Sequence, residues 1–252
     1  MTMRKTVPAQ TLFIGLLLAL LPVPALAEPD LTGTWERYPL PDETPDPRYA
    51  PQRPGEPPLK PEYMGEWREF QALLASRAEE SQPAGDNYIR CIPDGMPAMM
   101  MGMFPMEVFQ RDDQINITQE AFNQTRRIYM NEELPAWDEV NPGFYGRSVG
   151  HWEGDVLVVR TTGIKDSVRF QWTPHSEAMV ITERISLQAP DMLHNEISIE
   201  DEFFERPWTY SYSYRRMPDY KLQEYICEDN RDYVDAEGNV TMRLPSDQQT
   251  GE

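Results

Sequence analysis

From Glu107 to Cys227 polar and apolar residues alternate in ten short runs, each broken by a turn signal. This period of two constrains the fold more than any other feature of the chain. The expected strands span 107–111, 114–121, 126–130, 146–153, 155–161, 167–172, 178–188, 192–201, 208–216 and 221–227. Asp112-Asp113, Glu153-Gly154-Asp155, Ala189-Pro190-Asp191 and Met217-Pro218-Asp219 punctuate them. Short connections make antiparallel neighbours, so the runs predict a meander. A long meander exposes two edges unless it closes or curves strongly. The expectation is an all-β, mainly antiparallel domain: one up-and-down barrel or a strongly curved sheet.

Three segments of different character precede these runs. Residues 1–27 carry Arg4 and Lys5, then the apolar run Leu12 to Leu21, then Ala25-Leu26-Ala27, the pattern of a cleaved secretory signal. That run is far shorter than the roughly 20 residues that cross a bilayer in helix. Cleavage after Ala27 would send one domain, 28–252, to the periplasm or the medium, with no membrane insertion. Nine prolines from Pro39 to Pro61 preclude regular structure and predict an extended strap over 39–61. Met64, Trp67, Phe70, Leu74 and Ala78 then recur at helical spacing and predict one amphipathic helix near 62–81. The polar tail, 234–252, is expected to be disordered.

Loss of 1–27 removes two basic residues and no acidic ones, leaving 21 Lys and Arg against 42 Asp and Glu. Such a charge repels phosphate backbones and anionic lipid, which argues against nucleic-acid and membrane partners. Cys91 and Cys227 are the two cysteines, and in an oxidising compartment they most simply form one disulfide.

Asp30-Leu31-Thr32-Gly33-Thr34-Trp35 reads as a further, opening strand. Gly33-x-Trp35 resembles the first motif of the lipocalins and the wider calycins. The resemblance implies a ligand-holding barrel closed at one end by Trp35, with a basic residue of the last strand laid over that ring. Arg215, Arg216 and Lys221 are the candidates. Most lipocalins carry their helix after the barrel, whereas here it comes first. Cys91-x-Pro93-x-Gly95-Met96-Pro97, Ser148 to Asp155, Pro174-His175-Ser176-Glu177 and Glu183-Arg184 also resemble stretches of a broad group of exported bacterial proteins of uncharacterised function. That likeness covers most of 30–230 and brings no activity with it.

Alternation assigns residues to faces. Glu183 shares a face with Met179, Ile181, Ile185 and Leu187, so it points into an apolar interior, where a carboxylate must be paired or go neutral. Such an acid is either half of a structural pair or a general acid–base group. Trp208, Tyr210, Tyr212 and Tyr214 form an aromatic ladder suited equally to a pocket wall or to ordinary core and rim packing. His175, beside Glu177 at a strand entrance, is expected to be either a wet, titratable imidazole or a turn-capping or surface histidine. Arg184 and Arg160 are candidates to steady an oxyanion, and Trp35, Trp152 and His151 complete the candidate lining.

Other motifs point elsewhere. Gly146-Arg147-Ser148-Val149-Gly150 matches the serine nucleophile string, yet β and turn residues follow it instead of the helix that motif needs. A three-histidine zinc site would take His151, His175 and His194 from separate segments, so no metal is expected. Met96, Met99, Met100, Met101, Met103 and Met106 fit a lid over a barrel mouth at 92–106, or soft ligands for copper. The first reading is thus a carrier for a small apolar or aromatic molecule, with Met99 and Met101 in the lid. The second is a cofactor-independent lyase, isomerase or hydratase that moves protons with Glu183, Glu177, His175 and Tyr212. Neither reading requires a cofactor, and oligomeric state stays open.

Overall fold

The computed structural model describes residues 28–79, 91–102, 104–227, 232–234 and 240–242. Nine strands close into a barrel: β1 Gly33–Tyr38, β2 Met106–Gln110, β3 Gln114–Gln119, β4 Gln124–Met130, β5 Arg147–Glu153, β6 Val156–Thr162, β7 Val180–Ala189, β8 Met192–Glu200 and β9 Trp208–Arg216. Neighbours in sequence are neighbours in space, and β9 returns to pair with β1 from Trp35–Arg216 to Tyr38–Ser213. The all-β barrel expected from the alternation is therefore present, with its helix before the second strand. Residues 1–27 and Met103 lie outside the described residues, as does most of 228–252. Asp232–Val234 and Val240–Met242 pair as a small antiparallel hairpin, β10 and β11.

The ring departs from a pure meander at one seam. β4 and β5 run parallel, joined through Ile128–Ser148, Tyr129–Val149 and Met130–Gly150, and the other eight seams are antiparallel. An odd count forces this. Direction must return to itself after one circuit, so the number of reversals is even, and nine strands leave at least one parallel contact. The chain between them, 131–146, climbs the barrel wall to start β5 at the end where β4 started. Gly150 stands in this seam, where an added Cβ would lie 2.8 Å from Ile128 and 3.1 Å from the Met130 sulfur.

The two ends differ. At one, β2–β3, β5–β6 and β7–β8 reverse through 111–113, 154–155 and 190–191, and Leu31 and Trp35 fill the opening. The other carries the long connections 39–105, 163–179 and 201–207. The proline strap lies along the outside of β9, where the Ser211 amide donates to the Gln52 carbonyl and the Gln52 amide to Ser211 Oγ. It then bridges Leu59 to Phe204. The helix, α1, spans Pro61–Glu79, two residues short of the expected end because 80–81 lie outside the described residues. Tyr63, Met64, Trp67, Phe70, Gln71 and Leu74 turn its half-buried side inward. Trp67 Nε1 and Gln71 Nε2 both donate to the Gln171 carbonyl, at 3.1 Å each, which docks α1 on the 163–179 loop.

Two expected strands are loops. Within 167–172 the alternating Val168 and Phe170 are buried, but Gln171 and Trp172 take positive φ. A closed ring also leaves no edge on which the segment could pair. For the same reason 221–227 is not a strand. It runs along the outer wall, held by Glu120 and Asn123, and reaches Cys227 at the loop end. Cys91 and Cys227 form the expected disulfide, Cα to Cα 5.7 Å, so the bond ties the Met-rich loop to this outer segment instead of to a strand.

Candidate functional site: the barrel interior

Inward side chains divide the interior into an apolar half and a polar centre. Toward the tight-turn end, Leu31, Met106, Val108, Ile115, Ile117, Leu157, Ile185 and Leu193 surround a void that Met100, Asn195 and Tyr214 close off. Its volume is about 10 Å³, room for one water at most. The interior is thus filled rather than hollow, and the filling is the methionine loop. A 3-10 turn, Ala98–Met101, drives Met99 and Met100 into the core, where they are 1% exposed. The Met100 carbonyl accepts from the Tyr214 hydroxyl, and the Met99 carbonyl accepts from Gln119 Nε2 at 3.2 Å. Met101 stays half-buried at the rim. As thioethers on flexible stems, these residues can repack around another occupant.

The polar centre is built from five strands. Arg126 of β4 donates through Nε to Ser148 Oγ at 3.0 Å, and through Nη2 to Thr161 Oγ1 at 2.8 Å and to Glu183 Oε2. Asn195 Nδ2 donates to Glu183 Oε1 at 2.9 Å. Arg126 is 1% exposed and Glu183 0%. The inward acid expected at 183 is therefore there, and its partner is an arginine. Ser148 is the second residue of β5, and strand follows it in place of the helix of a serine nucleophile.

On β9, Trp208, Tyr210, Tyr212 and Tyr214 all face inward and are buried, as the ladder predicted. Burial pushes the Tyr210 and Tyr214 phenols well above their usual range, and Tyr212 up to about 12. Rings 5.5 Å apart join Tyr210 to Tyr212, and 5.6 Å separates Trp208 from Tyr210. Tyr212 also lies under Arg37, whose guanidinium stands 5.8 Å from the ring centre.

The remaining candidates do not converge on this centre. His175 is 5% exposed rather than wet, because Nε2 contacts the Val168 carbonyl at 2.6 Å and Nδ1 the Ser176 carbonyl at 2.8 Å. It staples the 163–179 loop. Glu177 is exposed on that loop. Arg184 and Arg160 alternate with buried residues and so face solvent, Arg184 pairing with Glu153 at 2.9 Å. His151 is exposed too, 3.3 Å from Glu153. Trp152 is half-buried against the core. Trp35 is fully buried at the tight-turn end, its Nε1 donating to the Leu31 carbonyl at 3.0 Å, and Arg216 of β9 covers it. That is the last-strand basic residue the calycin resemblance implied.

Gly33 explains the motif's first position. Its φ is +135°, and an added Cβ would meet Arg216 Nη1 at 2.6 Å. Glycine lets the arginine pass to the indole.

No family model matches this sequence, and no curated protein does. Among solved structures, a mutant of the fluorescent protein UnaG is similar at 14% identity, covering 75% of this chain and 97% of its own, with a TM-score of 0.34. A fatty-acid-binding protein from brain tissue of Drosophila melanogaster is similar at 16% identity, covering 52% and 88%, with a TM-score of 0.29. Likenesses this loose carry no functional reading, and the barrel stands on its own strand ladders.

Sequence reasoning missed Arg126, Asn195 and Thr161, and it weighed Ser148 only as a nucleophile. The signal was available. Arg126 alternates with Ile128 and Met130, and Asn195 with Leu193 and Ile197, so both fall on inward faces.

Proposed function

We propose that this is an exported carrier that holds a small, largely apolar molecule inside the barrel, beneath the methionine loop. One observation supports the reading above others. The apolar void ends on Asn195, whose Oδ1 is buried without a partner, and its ceiling is the displaceable Met100. Apolar walls with a few directional polar groups are the usual make-up of a small-molecule site. The leader pattern in 1–27 and the Cys91–Cys227 bond both suit an oxidising compartment outside the cytoplasm. Among the described residues Glu183 is held by Arg126 and Asn195, and no general acid–base pair lines the void, which favours binding over catalysis.

The test is saturable binding of N-phenylnaphthylamine, a neutral apolar fluorophore, to residues 28–252. Binding is expected, and tighter in Met100→Ala, which enlarges the chamber. Failure of both proteins to bind the fluorophore would overturn the proposal. Intact mass of the protein recovered outside the cytoplasm should begin at Glu28; retention of the leader would count against export.

A further inference from the structure

The polar centre also specifies what kind of head group the chamber takes, an inference that rests on the binding reading above. Arg126 and Glu183 are the only Arg, Lys, Asp or Glu side chains buried among the described residues, and each neutralises the other. Two buried atoms of this network have no partner, Arg126 Nη1 and Asn195 Oδ1, and neither does the Tyr210 hydroxyl of the aromatic ladder. Covalent geometry places the first two beside one carboxylate. Nη1 shares its carbon with Nη2, which donates to Glu183 Oε2, and Oδ1 shares its carbon with Nδ2, which donates to Oε1. Tyr210 also feels the Glu183 charge, which adds to burial in keeping its phenol protonated.

A buried polar atom left without a partner forfeits its hydration with nothing in return. Two such atoms beside one carboxylate, with Asn195 also on the wall of the void, therefore mark a place where a further polar group belongs. The required chemistry follows from what each atom offers. Arg126 Nη1 only donates, Asn195 Oδ1 only accepts, and the Tyr210 hydroxyl does either. A hydroxyl or a primary amide both accepts and donates, so either satisfies the set. A carboxylate cannot donate to Asn195, and it would add a second negative charge beside Glu183, whose partner Arg126 is already paired. An ammonium offers nothing to Arg126.

We infer that the bound molecule is uncharged, an apolar body ending in a hydroxyl or primary amide that sits among Arg126, Asn195 and Tyr210. Its body lies along Leu157, Ile185 and Leu193 toward Leu31. Arg37, which shares the inward face of Trp35, stands half-buried at the loop end over Tyr212.

The experiment compares octanol, octanamide and octanoate, matched in chain length, as competitors of N-phenylnaphthylamine at neutral pH. Wild type, Tyr210→Phe and Asn195→Leu are measured together, and folding is checked by near-ultraviolet circular dichroism. Octanol and octanamide should compete at least about tenfold better than octanoate. The preference should shrink in both variants. If Asn195→Leu does not fold, Tyr210→Phe, which loses a single oxygen, carries the comparison. Octanoate competing as well as the neutral pair would overturn the inference, as would a preference unchanged in Tyr210→Phe, the result expected if water alone fills the centre. Fluorophore binding with no competition from any of the three would defeat this inference and leave the carrier reading standing. No fluorophore binding would defeat both.

Discussion

The Arg216 guanidinium lies 4.2 Å from the centre of the Trp35 ring while its Nη1 donates to the Thr32 carbonyl at 2.5 Å. Arginine suits this position because one planar group can cover an aromatic face and hydrogen-bond at its edge. Arg216→Ala should lower stability by about 2 kcal/mol, and Arg216→Lys should recover only part of it. Gly33→Ala should also destabilise, through the clash with the same arginine. Urea midpoints of the three variants check this; an unchanged midpoint in Arg216→Ala would refute it.

Arg126 and Glu183 should show the asymmetry of a buried ion pair. Removing one charge leaves the other uncompensated, so Arg126→Met should cost about 3–5 kcal/mol. Adding Glu183→Leu should restore much of that loss, because neither charge then remains to be desolvated. A double-mutant cycle on unfolding free energy measures it, and additive losses would contradict the pairing.

Alkaline sensitivity follows from the β9 ladder. The folded pKa of Tyr212 is about 12, and those of Tyr210 and Tyr214 also lie well above the ordinary 10.0. In the window above pH 10 the folded state therefore binds more protons than the unfolded state, and stability falls as pH rises. Each phenol contributes a slope of up to about 1.4 kcal/mol per pH unit. Denaturant midpoints taken from about pH 8 to about pH 11 should bend downward near 10 and bend less in Tyr210→Phe.

Breaking Cys91–Cys227 should both destabilise and loosen. The bond spans 136 residues and closes a loop whose removal costs about 2–5 kcal/mol in small exported domains. It also anchors the segment that leads into Met96, Met99 and Met100. The Cys91→Ser, Cys227→Ser double variant should melt at lower temperature and admit N-phenylnaphthylamine faster. Stopped-flow fluorescence gives the rate, and an unchanged rate would separate the disulfide from access.

How far the chain could be read in advance depends on the element. Period-two alternation carried the strands and placed Glu183 inward, because a strand with one buried face leaves little freedom of register. Alternation equally puts Arg160 beside Val159 and Thr161, and Arg184 beside Glu183 and Ile185, which directs both arginines to solvent. Choosing them for their chemistry overrode that pattern. At 167–172 the pattern itself misled, since Val168 and Phe170 alternate like strand residues but are buried from a loop that plugs the loop end. The methionines were read as a cover, whereas they fill the space they cover. A one-sequence reading gives no volume balance, so it could not distinguish a cavity from a packed core.

The parallel contact between β4 and β5 gives the barrel a natural opening line. Three residue pairs hold that contact, as three hold β1 to β2, whereas β7 and β8 meet along almost their whole length. Severing 131–146 would interrupt no hairpin, and the order from β5 through β9 and β1 to β4 would remain one unbroken antiparallel ribbon. A circularly permuted protein that starts at Arg147 and ends at Met130 would therefore keep every reversal of the native chain.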